Sequence, residues 1–400
     1  MTRRVVITGM GVVTPAGVGI EAFEKSLRDG RSGCGPLTRF DLRGFKVKNA
    51  FEIKNFTPLH GTHLLDPFIQ YALWAAHEAG EMAKFDSSSI DPYRMGIVVS
   101  SSKGGLHSFD AFRERLERNP SAILGARVYS NTVPNFAAQW IARKWKIRGP
   151  AKCYVTACAT GTTSIIEGAR MVQEDLVDYA FAGAGDASLV PFLVAGYEQM
   201  GVLSTEGMYP FDERRKGFLL GEGAGVVLLE TPESAKARGA KIYGEIAGFA
   251  YGSDCYSPVA FDPKEDSLAR TLKKLCGALK INPEEIDYLN LHGTGTIDGD
   301  LYETDQIKRA FGKKAYEIST SATKSITGHM LGASGAVEII ACCLAMEEGF
   351  IPPTANLEKA DPQCDLDYTP LKGRKKKIQT SISHSMGFGG HIASIALRKV

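Results

Sequence analysis

The chain has 400 residues, 44% of them apolar and 23% charged, the balance of a folded globular protein rather than a disordered or fibrous one. Its 47 basic and 45 acidic residues leave a formal charge of +2, so no polyelectrolyte field argues for nucleic-acid binding. This length suffices for one large domain or two ordinary ones with a substantial core.

The opening M-T-R-R-V-V-I-T-G-M-G has an apolar run too short for a secretory leader. No later stretch approaches the roughly 18 to 20 apolar residues that a membrane span needs, so a cytoplasmic protein without a membrane span is expected. Arg4 to Ile7 predicts a buried strand, and T-G-M-G-V-V-T-P-A-G a Gly/Pro turn after it. G-M-G-V-V-T does not qualify as a dinucleotide fingerprint, because the third glycine is missing and Pro15 and Gly17 break the helix that would follow.

Further strands are predicted at Met95 to Ser100, Cys153 to Thr156, Tyr179 to Ala182 and Ala224 to Glu230. From Thr163, Ile165, Ile166, Ala169 and Val172 recur at helical spacing, with Glu167, Arg170 and Glu174 opposite. A short polar helix over 233–238 ends at Gly239. A second series follows: a strand from Ile242, a helix over 266–279, a strand over 286–291, and strands at 378–383 and 392–397 around a glycine cluster. Alternating elements with short connections indicate an α/β architecture. The parts before and after about residue 240 have comparable strand and helix content.

Eight cysteines stand at 34, 153, 158, 255, 276, 342, 343 and 364, with no C-x-x-C pair and no histidine at zinc-ligand spacing. Disulfides and a metal site are not expected, and most of these thiols should be buried and inert. Cys158, in Y-V-T-A-C-A-T-G-T-T-S-I, follows an apolar segment and opens a helix, where free N–H groups and the positive helix end favour a thiolate. Its small neighbours Ala157, Ala159, Thr160 and Gly161 leave room for a substrate carbonyl. They equally suit a corner that packs tightly, and this stretch alone does not choose.

His292 lies in N-L-H-G-T-G-T at a strand end, where α/β sheets gather ligand contacts, although a histidine closing a turn is the plainer reading. His329 lies in T-K-S-I-T-G-H-M-L-G-A-S-G-A-V-E among three glycines that permit close approach. Lys324 and Glu338 flank it in a stretch poor in other charges, which predicts a buried pair in place of the usual solvated one. Gly387-Phe-Gly-Gly390 offers backbone amides toward a ligand, or a tight hairpin. One cysteine and two histidines near glycine-rich strand ends favour acyl transfer through a thioester.

Together, T-A-C-A-T-G, H-G-T-G-T, T-K-S-I-T-G-H-M-L-G-A-S-G-A-V-E and G-F-G-G resemble the signature set of the β-ketoacyl-acyl carrier protein synthases, most closely the synthase II type. P-F-D-E-R-R-K-G-F-L-L-G-E-G-A-G and I-P-P-T-A-N-L extend the likeness over essentially the whole chain. The resemblance implies an α/β, thiolase-type duplicated fold of five αβαβα layers with two mixed sheets. The halves are expected at 1–240, carrying the cysteine, and 241–400, carrying the histidines. It implies a homodimer, with a heterodimer of related ketosynthase-like subunits as the alternative.

By the same resemblance, Cys158 accepts an acyl chain from acyl carrier protein, and decarboxylative condensation with a malonyl thioester gives a 3-ketoacyl product in fatty-acid or polyketide and polyene elongation. His292 and His329 stabilise the enolate oxygen. The amides of Cys158 and Phe388 form an oxyanion hole, Thr294 and Thr296 hold the pantetheine arm, and Lys324 with Glu338 organises the site. No cofactor of its own is implied beyond the 4'-phosphopantetheine of the carrier protein, and no metal.

Departures from the family pattern cluster near the C-terminus. The usual N-S-F-G-F-G-G-T-N reads His384-Ser-Met386-Gly-Phe388-Gly-Gly-His391-Ile392, with Met386 in place of a gating phenylalanine; Ile297 stands for proline, and Ser257 for histidine. These changes direct attention to a specialised polyketide or polyene substrate alongside ordinary saturated chains. The rival readings are a thiolase, which has a second cysteine near its C-terminal glycine loop, and a non-condensing chain-length subunit, which lacks the nucleophile.

Overall fold

The computed structural model describes residues 3–400, so Met1 and Thr2 of the opening segment lie outside it. Its first strand, β1 (Val6–Thr14), runs straight through the stretch expected to turn. Gly9 and Gly11 serve close approach here. A side-chain carbon at Gly9 would lie 2.0 Å from the Ala79 carbonyl oxygen, and one at Gly11 1.9 Å from that of Ala75. Both glycines therefore let helix α1 (Pro67–Met82) lie flat on the strand. This helix has no clear polar face, because Phe68, Ala72, Ala75, Ala76 and Ala79 are all buried. Asp66 caps it by accepting from the Phe68 N–H at 3.2 Å, and Pro67 sits in its first turn, where no amide is needed.

The remaining principal strands are β2 (Met95–Ser100), β3 (Ala151–Lys152), β4 (Tyr179–Asp186), β5 (Gly223–Glu230), β6 (Gly244–Ser253), β7 (Tyr288–Asn290), β8 (Ser319–Ser321), β9 (Thr380–Gly387) and β10 (His391–Arg398). They form two mixed half-sheets of the same topology. The first runs β3-β2-β4-β5-β1 and the second β8-β7-β9-β10-β6. In each, the first two pairings are parallel and the last two antiparallel. The halves join where β1 meets β6 over two residue pairs, Val6 with Glu245 and Ile7 with Gly244.

Helices fill three layers around them. Helix α1 and α2 (Phe136–Trp145) cover the outer face of the first half-sheet. Helices α3 (Thr160–Gln173) and α6 (Ser334–Glu348) lie together in the middle. Helices α4 (Ser267–Leu279) and α5 (Ile297–Phe311) cover the second half-sheet. The expected αβαβα layering is present.

One predicted strand is corrected. Only Ala151–Lys152 pairs with β2, and residues 153–156 leave the sheet despite their strand-like composition. Side chains tie this segment down: the Tyr154 N–H donates to Ser100 Oγ and the Thr156 N–H to Thr160 Oγ1, each at 3.0 Å. The chain exits here to build the corner that carries Cys158. No helix among the described residues is long and apolar enough to cross a membrane.

Candidate active site

Of the side chains singled out in the sequence, Cys158, His329, His292, Lys324 and Glu338 converge in one chain of contacts between the two halves. Cys158 sits in a single 3-10 turn, Ala157–Ala159, directly before α3. Ala157 has φ +49, a left-handed conformation uncommon outside glycine, so the corner is bent against local preference. Gly161, one turn on, must be glycine for packing: a side-chain carbon there would lie 2.6 Å from the Ala336 nitrogen of α6. The second half mirrors this corner. Leu331, with φ +50, opens a 3-10 turn that leads into α6.

His329, just upstream, faces the thiol, with Nε2 3.2 Å from Cys158 Sγ and Nδ1 3.2 Å from Ser334 Oγ. Because a hydroxyl both donates and accepts, Ser334 supports either imidazole tautomer. Nε2 can therefore accept the thiol proton in one and donate to an oxyanion in the other. Phe218 meets the same ring edge-on at 5.0 Å. His292 packs perpendicular to His329, ring centres 5.5 Å apart, and its Nδ1 lies 3.4 Å from Lys324 Nζ. An ammonium only donates, so this contact leaves the His292 proton on Nε2, where it serves as a donor. Lys324 and Glu338 are both buried and paired with each other.

Burial dominates the electrostatics. It pushes the Cys158 thiol up to about 11, against opposing pulls from Lys324, Lys103 and the Phe388 amide. Burial thus opposes the thiolate that the helix end was expected to favour. Burial, then Lys324, hold His292 and His329 well below the ordinary imidazole range, so both are neutral. Glu338 is raised by burial and lowered by Lys324, with burial the larger effect.

A reactivity profile follows. Alkylation of Cys158 by iodoacetamide should rise about tenfold per pH unit between roughly pH 7 and 9 without levelling off. A plateau near neutrality in mass-spectrometric rate measurements would show a pre-formed thiolate.

Phe388 follows β9 and lies 6.5 Å from Tyr197, ring to ring, beside the apolar cluster that includes Cys158, Phe51, Leu203 and Phe218. Thr294 and Thr296 face each other with hydroxyls 3.0 Å apart. Met386 lies apart, in the apolar cluster of the second half with Leu291, Ile382 and Ile392.

Three charged contributors were not read from the sequence. Glu303 on α5 accepts the His292 N–H at 2.6 Å and the Gly293 N–H at 2.8 Å. Its signal was an acidic residue on the same helical stripe as Ile307 and Phe311. Asp186 ends β4 and accepts from the Gly332 N–H at 2.7 Å and Ser102 Oγ at 2.6 Å. Lys103, in S-S-K-G-G after β2, acts on both Cys158 and His329. A lysine between serines and glycines at a strand end was the available cue.

Two family descriptions match the chain: "Beta-ketoacyl synthase, N-terminal domain" over residues 2–235 and "Beta-ketoacyl synthase, C-terminal domain" over 243–358. The chain is 37% identical to 3-oxoacyl-[acyl-carrier-protein] synthase 2 of Coxiella burnetii, covering 100% of this chain and 99% of that one. It is likewise 37% identical to the Synechocystis protein of the same name, over 99% and 98% of the two chains. Among solved structures, the ishigamide ketosynthase/chain length factor superposes with a TM-score of 0.94 at 34% identity, covering 100% of both chains. The type II PKS complex AntDE:AntF, an acyl-carrier protein with its ketosynthase bound to the hexaketide, gives 0.91 at 30% identity, again over 100% of both.

Proposed function

The chain belongs to the β-ketoacyl synthase family, and from that premise we propose how its residues carry out decarboxylative condensation between an acyl chain and malonyl-acyl carrier protein in fatty-acid or polyketide elongation. The single observation that carries the reading is the contact between His329 Nε2 and Cys158 Sγ at 3.2 Å, with neutral His292 beside it. Cys158 attacks the acyl thioester on the carrier protein's phosphopantetheine arm. Its proton, taken up by His329, leaves with the released pantetheine thiol. The amides of Cys158 and Phe388 hold the tetrahedral oxyanion.

A malonyl thioester then occupies the site, with Thr294 and Thr296 along its arm. Cleavage of its C–C bond releases CO2 and leaves an enolate, whose oxygen receives hydrogen bonds from Nε2–H of His292 and from His329. The enolate carbon attacks the Cys158 thioester carbonyl. The C–S bond breaks, the departing Cys158 thiolate takes up a proton that solvent supplies through His329, and the 3-ketoacyl chain departs on the carrier protein. Burial suits this sequence, because neutral imidazoles strengthen as donors only when charge develops on the substrate. The Lys324–Glu338 pair keeps His292 in the tautomer the step requires.

The reading includes a division near residue 240 into halves 1–240 and 241–400, supported by matching strand orders on either side. Acyl carrier protein is the macromolecular partner, and a dimer is the expected assembly, with itself or with a related subunit. Retention of Cys158 favours the condensing role over a chain-length role. Location in the cytoplasm accords with the absence of a long apolar helix among the described residues. The His384, Met386, His391 and Ile392 departures support a specialised polyketide or polyene chain. Incubation with malonyl-carrier protein and, in competition, saturated acyl- and polyenoyl-carrier proteins should yield 3-ketoacyl-carrier protein by mass spectrometry, with the polyenoyl chain preferred. Absence of any such product overturns the condensation; equal or better use of saturated chains overturns only the specialised substrate.

A further inference from the structure

The departure at His384 has a structural counterpart. His384 lies on β9, which pairs in parallel with β7 with Ser383 opposite Asn290, so it sits beside the segment that delivers His292. The residue is fully buried, and its Nε2 donates to Glu303 Oε1 at 2.6 Å. Its Nδ1 meets no polar partner among the described residues, so the bond to Glu303 is the ring's one polar tie. Glu303 in turn accepts the His292 and Gly293 N–H groups. The exit from β7 needs such a clamp. Gly293 turns with φ +39, and a side-chain carbon there would lie 2.4 Å from the Ala322 Cβ, so the chain leaves the strand through a narrow passage.

We infer that His384 is a positioning residue, which holds the Glu303 carboxylate and through it the backbone that aims the His292 imidazole. Glu303 has several torsions of its own, and its two backbone bonds fix the carboxylate only from one side. The His384 ring approaches from β9 and completes the clamp. That strand also leads to Phe388, so one rigid element sets both the oxyanion amide and the enolate donor. His292 serves the decarboxylation half-reaction, whereas acylation of Cys158 relies on His329 and the α3 corner. The clamp should therefore affect the two steps unequally.

This inference rests on the condensation reading and is tested step by step. In His384→Leu, CO2 release by pre-acylated enzyme mixed with malonyl-acyl carrier protein should slow about ten- to a hundredfold, the effect of losing a hydrogen bond to a buried charge. Acylation of Cys158, followed by intact mass, should stay within about threefold. His384→Gln, which keeps an N–H donor, should restore most of the decarboxylation rate. Hydrogen exchange of the 288–296 segment should quicken in the leucine variant and not in the glutamine one.

Equal slowing of both half-reactions, or unchanged decarboxylation, overturns the positioning role. Should His384→Leu fail to fold, the same rate split is read in Glu303→Gln. If wild-type enzyme neither acylates nor decarboxylates, the condensation reading falls, and the exchange comparison alone decides whether His384 holds the clamp.

Discussion

Cys158→Ala will fold and take up no acyl chain. The substitution removes a single sulfur from a nearly closed site (8% exposed), so the stability change should stay within about 1–2 kcal/mol. The chemistry has no substitute path. Without the thiol there is no thioester for the enolate to attack, and loss of a covalent nucleophile costs on the order of 10^4 to 10^6 in rate. Intact mass after incubation with acyl-carrier protein checks this directly, because wild type gains one acyl group and the variant none. Cys34 and Cys255 are the exposed thiols and serve as internal controls. Acylation persisting in Cys158→Ala would place the nucleophile elsewhere and end the proposed mechanism.

The second large effect concerns stability. Lys324→Met strands Glu338 in the middle helical layer, where both partners are buried and Glu338 Oε2 has no polar partner among the described residues. Breaking a buried ion pair from one side costs about 3–5 kcal/mol, whereas replacing both partners by apolar groups of similar size costs far less. Urea unfolding should accordingly place Lys324→Met several kcal/mol below wild type and Lys324→Met/Glu338→Leu well above the single variant.

The pH dependence has a definite sign. Burial already raises Glu338, and removing the lysine raises it further. A carboxyl whose folded-state value lies above its unfolded value binds more protons when folded. Its penalty thus grows as pH rises above the unfolded carboxylate range. The single variant should regain stability as pH falls through the raised Glu338 value, the gain being complete near the unfolded carboxylate range of about pH 4. Both variants should lose condensation, since His292 loses the ammonium that sets its tautomer. A double variant no more stable than the single one would show that the pair is not what the middle layer depends on.

Much of this site was legible before any coordinates. Cys158 and His292 each stand beside glycines after a predicted strand. In the folded chain His292 does follow one, whereas Cys158 follows the segment that leaves the sheet and His329 follows the short helix over 324–327. Lys324 and Glu338 were expected to be buried together because their surroundings lack other charges, and they are. What escaped the reading was contact across distance. Glu303 stands in an acid-rich stretch for which no element was predicted, and nothing local says that it points back to the amides of His292. The strand expected at 153–156 failed because β-branched and aromatic composition reports what a segment could do, whereas bonds to Ser100 and Thr160 fix what it does. Gly9 and Gly11 read as turn residues because glycine marks both turns and close contacts. Only the facing carbonyls of Ala75 and Ala79 distinguish the two.

The paired corners at Ala157 and Leu331 carry a last consequence. A doubled fold supplies two equivalent receptacles for negative charge, one at the start of each middle helix. At Leu331 the vacancy is filled from within, since the Asp186 carboxylate already occupies the Gly332 amide. At Ala157 the Ala159 N–H is taken by the Thr156 carbonyl at 3.0 Å. Among the described residues no side-chain acid bonds the Cys158 N–H, which under the proposed reaction receives a charge that arrives with substrate and lasts only as long as the turnover. The symmetry of the scaffold is thus broken by where the buried acid was put: one corner is plugged and holds the structure, and the other is left open for the proposed reaction.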